Sequence, residues 1–555
     1  MAEADLGFLK VEAVNFDNAI LDTNQLSVVR GGSYALKQII IQIEGRLAQA
    51  RLPNYEAVTI GSSTGIFCCE PKAMSELRKI VKSYLNSKTK IDEVHFVPNE
   101  LFTFVVNDVI ASNYLIAKEQ LIALGRFKQA SSFNHALPNF DTNAHSACAL
   151  NGFLAADSDN KSIKASKDSI VSQSVNTRYR IGCGVRSWIY KQEREDAYSK
   201  LSDLGVKWDE RLNTLPKISD YSFPSDLETL AGRHQKMSID GKVAVIYSDG
   251  NAFGKAQRNA IMDANGKRDP IEVQQEFDLT LRVERALYLT HLVDFLASKG
   301  ALIEKDGEKI VLLETLLWGG DEMTLVVPAW IGLEVLRHYT DYHKSFSICG
   351  QKLTSSTGIV FCSHKTPIRK AEQAARELAD AIKERRGGRD ESYFDYMVLE
   401  SIDYPTQSLD DFWTTQYGPE IAKHRLPLKF NLDVKLLHER VAAYLEALPR
   451  SGIYKLVDSA LHHQLKTLAH PEHTDKQTAL QQKGTANELP LRKQRLLEAG
   501  GQPLTQALNE LMGIFLVMEE GKSAKPFSDQ DTLFWLHILE LYDYLAPANP
   551  TMEGR

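Results

Sequence analysis

The feature that most constrains this chain is a run of changes in hydrophobic period between residues 241 and 402. KVAVIYSD is a short, continuous apolar run that ends in an acid and reads as a buried strand. PIEVQQEFDLTLRVERALYLTHLVDFLASK, opening at Pro270, reads as a long amphipathic helix. KIVLLETLLW and MTLVVPA follow as two strands joined by a tight Gly319-Gly320-Asp321-Glu322 turn. A helix over AWIGLEVLRHYTDYHKSF, a strand over LTSSTGIVFC, a helix over TPIRKAEQAARELADAIKERR with Pro367 near its start, and a strand over YFDYMVLE complete the region. The order β-α-β-β-α-β, with a further helix and strand, is that of a ferredoxin-like or palm domain with the hairpin in the middle of its sheet.

Residues 1–130 repeat the plan more loosely. A strand lies in FLKVEAVNF, a helix opens at Gly31-Gly32-Ser33, and YEAVTIGSSTGIFCCE reads as a hairpin. A helix through MSELRKIVKSYL, a strand near VHFVP or FTFVV and a helix in IAKEQLIALGRFKQ follow. At the tip of this hairpin Ser62 and Ser63 stand where the other copy has Asp321 and Glu322. A hydroxyl does not replace a carboxylate as a ligand for a hard cation, so the first copy is expected to be non-catalytic. Residues 131–240 are polar and turn-rich and read as a small insert and connector. From 403 to 555 the pattern is helical, interrupted by the polar loop HPEHTDKQTALQQKGTANE. The expected class is therefore α+β: two ferredoxin-like palm (nucleotidyl cyclase/GGDEF-like) domains over 1–130 and 241–402, the insert between them, and a C-terminal helical bundle over 403–555.

Composition narrows the partners. A net charge of -7 with both signs well mixed argues against a chain held on nucleic acid by a bulk basic field. Six cysteines without repeated spacing, and a start lacking the basic-then-apolar secretory pattern, point to a reducing cytoplasm. The most apolar stretch, HFVPNELFTFVVNDVIASNYLIAK, is broken by Glu100 and Asp108 before it offers the ~20 apolar residues a bilayer requires. No membrane span is expected.

The chemistry is concentrated in two places. Asp249 ends a buried strand in YSDGNAFG, and one long helix later comes the acidic hairpin tip. Neighbouring strands in a palm would bring Asp249 and Asp321 to a shared pair of magnesium or manganese ions, an arrangement suited to nucleotidyl transfer. Gly and Asp are ordinary turn residues, so the tip alone would mean little; its pairing with Asp249 is what points to function. Gly319 and Gly320 permit positive backbone dihedrals and the approach of a triphosphate or base, Gly250 would let its carbonyl reach a metal, and Gly250 and Asn251 are expected to help bind the nucleotide. Glu322 is either a second metal ligand or a base contact. Lys383, with Arg385, Arg386 and Arg389 around Gly387-Gly388, would hold a triphosphate tail or simply form a solvated basic helix end. Ser355 and Ser356 would line a base or ribose, or serve the strand. His145, Cys148 and distant Cys183 offer only three zinc ligands, so zinc is not expected. The histidines at 462, 463, 470 and 473 have no carboxylate at ligand spacing and read as surface residues.

Taken in order, LDTNQLSVVRGGSYAL, FPSDLETLA leading into VAVIYSDGNAFG, LLWGGDEMTLVVPA, TSSTGIVFCSHKTPIRKAEQAARELADAIK and LPRSGIYKL resemble the large polymerase-like subunit of type III CRISPR effector complexes. The resemblance implies a second palm that joins ATP into cyclic oligoadenylate messengers, with metal-holding carboxylates at Asp249, Asp321 and Glu322. It also implies guide or target RNA and other effector subunits as partners. Three departures stand out. The hairpin ends Asp-Glu rather than Asp-Asp. CALNG carries Asn151 where a second zinc cysteine would stand. An N-terminal His-Asp nuclease domain is lacking, so DNA cutting is not expected. The alternative is a degenerate palm acting as a nucleotide- or RNA-binding scaffold. Because one carboxylate cluster must serve two nucleotides, a homodimer, a partner or an internal pair of palms is expected. The aromatic-rich stretch from Phe515 to Tyr544 would either dock a further subunit or form the bundle's own core.

Overall fold

The protein, seen here in a computed structural model, is described over residues 5–14, 16–131, 147–157, 170–201, 221–234, 238–264, 267–344, 346–385, 391–400, 408–425, 427–429, 450–469, 494–495 and 529–545.

The first sheet is built from β1 (Leu6–Val14), α1 (Leu26–Gln49), β2 (Glu56–Ile60), β3 (Thr64–Cys69), α2 (Met74–Leu85), β4 (Thr103–Ala111) and α3 (Tyr114–Ser131). Its strand order is β2-β3-β1-β4, with β1 antiparallel to both neighbours. The central strand β1 buries Phe8, Leu9 and Val11 completely, which is why its sequence is nearly continuous in apolar residues. Two connector helices follow, α4 (Gln173–Gly184) and α5 (Trp188–Leu201). Gly31 and Gly32 lie inside α1 and do not open it. The reason is a helix crossing: a Cβ on Gly31 would stand 1.8 Å from the Arg178 carbonyl oxygen of α4, and one on Gly182 would stand 1.8 Å from that of Ser27. Of the two candidate strands near residue 100, Thr103–Ala111 joins the palm sheet, while Val94–Phe96 pairs only with Thr89–Ile91.

The second sheet comprises β5 (Lys242–Gly250), α6 (Phe253–Asp263), α7 (Pro270–Ser298), β6 (Glu314–Gly319), β7 (Glu322–Pro328), α8 (Gly332–His343), β8 (Ser355–Ser363), α9 (Ile368–Arg385), β9 (Tyr393–Val398) and a short β10 (Leu428–Lys429). Its order is β6-β7-β5-β8-β9-β10, so the ferredoxin-like part repeats that of the first sheet. The hairpin is not in the middle, as expected, but at one edge: β6 is the outermost strand, and only β7 pairs with β5. KIVLLETLLW is likewise not one strand. Glu308–Val311 joins Leu302–Lys305 and Tyr221–Ser222 in a separate three-stranded sheet, and only Glu314 onward enters the palm. A bend at Leu312-Leu313 divides them, fixed by the Leu312 amide donating to Ala301 (2.9 Å) and by buried Glu314 pairing with Arg30 of α1 (Nε to Oε1 2.8 Å). Residues 311–316 are buried without a break across the bend, so the apolar run hides the change of sheet.

Of the C-terminal helices, Arg450–Ala469 (α10) and Asp529–Leu545 (α11) are described; VKLLHERVAAYLEAL, the stretch from Leu491 to Glu520 save residues 494–495, and thus Phe515, lie outside the described residues. The aromatics of α11 face the palm. Tyr544 packs on Phe361 at 4.2 Å between ring centroids, and Phe534 and Trp535 are buried. Beneath them Tyr396 donates to Glu540 (2.9 Å), Arg425 pairs with Asp395 (2.6 Å), and the Arg425 guanidinium lies 4.0 Å over Trp413. Among the described residues, no helix is long and apolar enough to cross a membrane.

Candidate active site

The end of β5 and the β6–β7 turn meet because β7 is the direct neighbour of β5. The Gly250 amide donates to the Asp321 carbonyl at 3.2 Å. A Cβ on Gly250 would stand 2.7 Å from that of Asp321 and 3.1 Å from its Oδ2, so only glycine lets the acidic turn close onto the strand. Gly320 takes φ +56 to make the turn, whereas Gly319 does not enter the positive region. Just past Asn251, Ala252 is held at φ +51, a left-handed conformation costing about 1–2 kcal/mol in a residue with a Cβ. This turns the chain directly from the sheet into α6.

The carboxylates are electrostatically coupled. Burial, then the Asp249 charge and the neighbouring Glu322, push the Asp321 carboxyl up to about 7. Asp249 instead has a cation. Lys383, from the end of α9, places its ammonium on Asp249 Oδ2 and reaches Asp380 at 3.3 Å. Burial works against that ammonium, yet Asp249 and Asp380 hold its pKa above the ordinary lysine value. A helix-end lysine expected to face phosphate thus rests on the carboxylate. Of the arginines grouped with it, the Arg385 side chain and Arg386, Gly387, Gly388 and Arg389 lie outside the described residues.

The remaining candidates divide by what they touch. Ser356, opposite Asp249 in the β5–β8 pairing, is buried and donates to Asn251 Oδ1 at 2.8 Å. Asn251 Nδ2 donates to Thr354 Oγ1 at 3.1 Å, so this pair braces the strands. Ser355 lines the cleft beside Asp321, whose walls include Phe253, Tyr288, Trp318 and Tyr339. Flat, largely apolar walls of this kind suit a purine ring. Among the described residues, no three His, Cys, Asp or Glu side chains converge on one metal position, so the expected set of Asp249, Asp321 and Glu322 does not form a three-carboxylate group.

Of the zinc candidates, two are described. Cys148 is buried with Val28, Val171 and Val175, Cys183 is exposed, and His145 lies outside the described residues, as do His470, His473 and the side chains of His462 and His463. Asn151 ties its loop together by hydrogen bonds instead, donating to Asp22 at 2.9 Å and accepting from the Leu154 amide at 3.3 Å.

Sequence reasoning missed Arg285, in the middle of α7. It donates to the carbonyl oxygens of Gly320 and Glu322, the latter at 2.6 Å, and its guanidinium lies 4.5 Å over the Trp318 ring. Its partners are backbone atoms, which leave no trace in a sequence. The first palm also reaches this region. A Cβ on Gly319 would stand 1.7 Å from Ser62 Oγ, so the two hairpin tips touch.

No protein-family model matches the chain, and no curated protein is significantly similar to it. Solved structures are. A Csm1-Csm4 cassette in complex with cA4 is 14% identical with a TM-score of 0.50, covering 98% of this chain and 70% of that one. A Csm1-Csm4 cassette in complex with pppApApA is 13% identical with a TM-score of 0.51, covering 97% and 69%. At such identity the likeness concerns the fold, and over almost its whole length the chain has the palm-containing fold of Csm1, the one implied by the resemblance to the large polymerase-like subunit of type III CRISPR complexes.

Proposed function

We propose that this protein is a divalent-metal-dependent nucleotidyltransferase that joins nucleoside triphosphates, ATP foremost, into a cyclic oligonucleotide messenger within an antiviral assembly of the type III CRISPR kind. One observation carries the reading: Asp249 at the end of β5 and Asp321 in the β6–β7 turn act on each other electrostatically, and the absence of a side chain on Gly250 lets the acidic turn close onto that strand end. A proton or a hard cation relieves that repulsion, and oxygen-only donors fit magnesium or manganese. Asp249, Asp321 and the Gly250 carbonyl would hold the ion, with Glu322 beside them. When bound, the metal lowers the pKa of the attacking 3′-hydroxyl and offsets charge on the leaving pyrophosphate.

The chain's own residues supply the rest. The 3′-hydroxyl of one nucleotide attacks the α-phosphorus of another, the α–β bridging bond breaks, and pyrophosphate leaves. Ring closure repeats the step within one molecule. The aromatic cleft would orient the base, Gly320 leaves room for phosphate while the space beside Gly319 is taken by Ser62, and Lys383 would exchange Asp249 for the triphosphate tail. The cA4 and pppApApA bound by the Csm1-Csm4 cassettes make adenine nucleotides the first substrates to try. A Csm4-like subunit and RNA are the corresponding partners to supply.

The test is chromatography of products from each labelled NTP with magnesium or manganese, with and without such partners. Asp249→Asn serves as the control. Absence of any product under all conditions would sink the reading. The second reading, a nucleotide-binding scaffold, has its own support in the Lys383 ammonium seated on Asp249. It requires nucleotide binding without turnover, which calorimetry on the same samples distinguishes.

A further inference from the structure

Side chains from four separate elements join the acidic turn to the first palm. Arg285 of α7 donates to the carbonyls of Gly320 and Glu322, the residues on either side of Asp321. Trp318 of β6, beneath the guanidinium, donates from Nε1 to Glu193 Oε2 at 3.1 Å. Glu193, on connector helix α5, pairs through its other oxygen with Lys37 of α1. Glu193 and Trp318 are 4% and 5% exposed, so this series of contacts is shielded from water and its charge-assisted bonds are strong. Arg285 and Trp318 also line two clefts at once, one containing Asp321 and the other Ser62 and Lys37.

The guanidinium geometry matters. A planar fork holding two carbonyls fixes the 320–321 and 322–323 peptide planes, while the Gly250 amide holds the Asp321 carbonyl between them, and together these set the direction of the Asp321 carboxylate. A lysine, as a single point charge on a flexible stem, cannot fix both. We propose that Arg285 is the positioning residue for Asp321, and that Trp318, Glu193 and Lys37 tie this positioning to the connector helix and the first palm. A shift of α5 would then alter how the acidic turn is held, which gives a partner bound to the connector a physical route to the chemistry. The activity arm rests on the nucleotidyltransferase reading; the structural arm does not.

The experiment compares the full chain with Arg285→Lys, Arg285→Gln and Glu193→Gln. It measures amide hydrogen exchange at 319–322, thermal midpoint, and kcat and KM separately. Arg285→Lys is expected to speed exchange at 319–322 by about tenfold, the loss of roughly one hydrogen bond, while exchange in β5 and β8 is unchanged. It should lower kcat by about 10- to 100-fold with KM for nucleotide within about threefold, since misplacement affects the reacting geometry more than ground-state binding. Glu193→Gln should move both readouts in the same direction by less. Unchanged exchange at the turn in Arg285→Lys overturns the proposal, as does faster exchange with full kcat. Should Arg285→Gln fail to fold, Arg285→Lys decides alone. Should the parent protein turn over no NTP, the functional reading fails, and exchange at the turn still supports or overturns the positioning role.

Discussion

The two palm sheets share one strand order and differ at the hairpin tip. In the first the turn is Gly61-Ser62-Ser63; in the second it is Gly319-Gly320-Asp321, with Glu322 opening the next strand. Both sheets bury a central strand on two faces, and both lay their helices on the same plan, so the apolar pattern alone is enough to build either. What separates them is local. The second tip has carboxylates, a glycine opposite them and an arginine fork behind them; the first has hydroxyls and rests on its counterpart. The shared fold and the differing tips are thus written in different residues, and the first copy touches the second at its tip.

The sharpest way to break this comparison is to remove the difference. Asp249→Asn or Asp321→Asn should lower turnover at least about 10³-fold; Asp321→Asn should leave the thermal midpoint unchanged or raised because a repulsive pair has gone, whereas Asp249→Asn also gives up the Lys383 ion pair. Near-normal product formation by either folded variant would mean that the tips do not differ in chemistry. Gly250→Ala comes next, since its methyl would force the acidic turn away from β5; a loss of about 10²-fold in kcat is expected, and activity within twofold of the parent would remove the close approach from the argument.

A pH effect tests the seam between the two halves. Asp278 of α7 lies in the cleft with Thr59 and Ser62, and burial pushes its carboxyl up to about 6 despite Lys118 and Arg282 nearby. An acid whose folded pKa is raised holds its proton in the folded state after the unfolded chain has lost it, so stability falls as pH rises from about 4 to about 6. The contribution is at most about 3 kcal/mol. Asp278→Asn should therefore raise the thermal midpoint above pH 6 and change it little below pH 4; an equal shift at both ends would show that the carboxyl is not the cause. Smallest of all, Ser62→Ala with Ser63→Ala should leave metal-dependent turnover within about twofold, because hydroxyls there hold no metal. Complete loss in the folded double variant would give the first palm a direct part in catalysis.

Strands and helices of both palms were legible because their periods switch cleanly, and Asp249 and Asp321 were legible because an acid ending a buried strand and an acidic hairpin one helix later belong to one topology. Other features could not be read. KIVLLETLLW hides a change of sheet because residues 311–316 are buried without a break across the bend. Gly31 and Gly32 mark a crossing with a helix some 150 residues away, as the Arg30 bond to the Gly182 carbonyl records. Lys383 shows the same limit, since a cation at a helix end announces its charge but not its partner, here 134 positions upstream. Arg285 grips main-chain oxygens that every residue possesses.

The touching hairpin tips have a kinetic consequence. With both palms on one polypeptide, their encounter is unimolecular, at an effective concentration in the millimolar range that no dilution of the protein changes. Any step that needs the two tips together is therefore first order in this chain. A cell holding only a few copies would lose none of that pairing, and any output that depends on it would follow the number of molecules one for one, without the threshold that a bimolecular pair imposes.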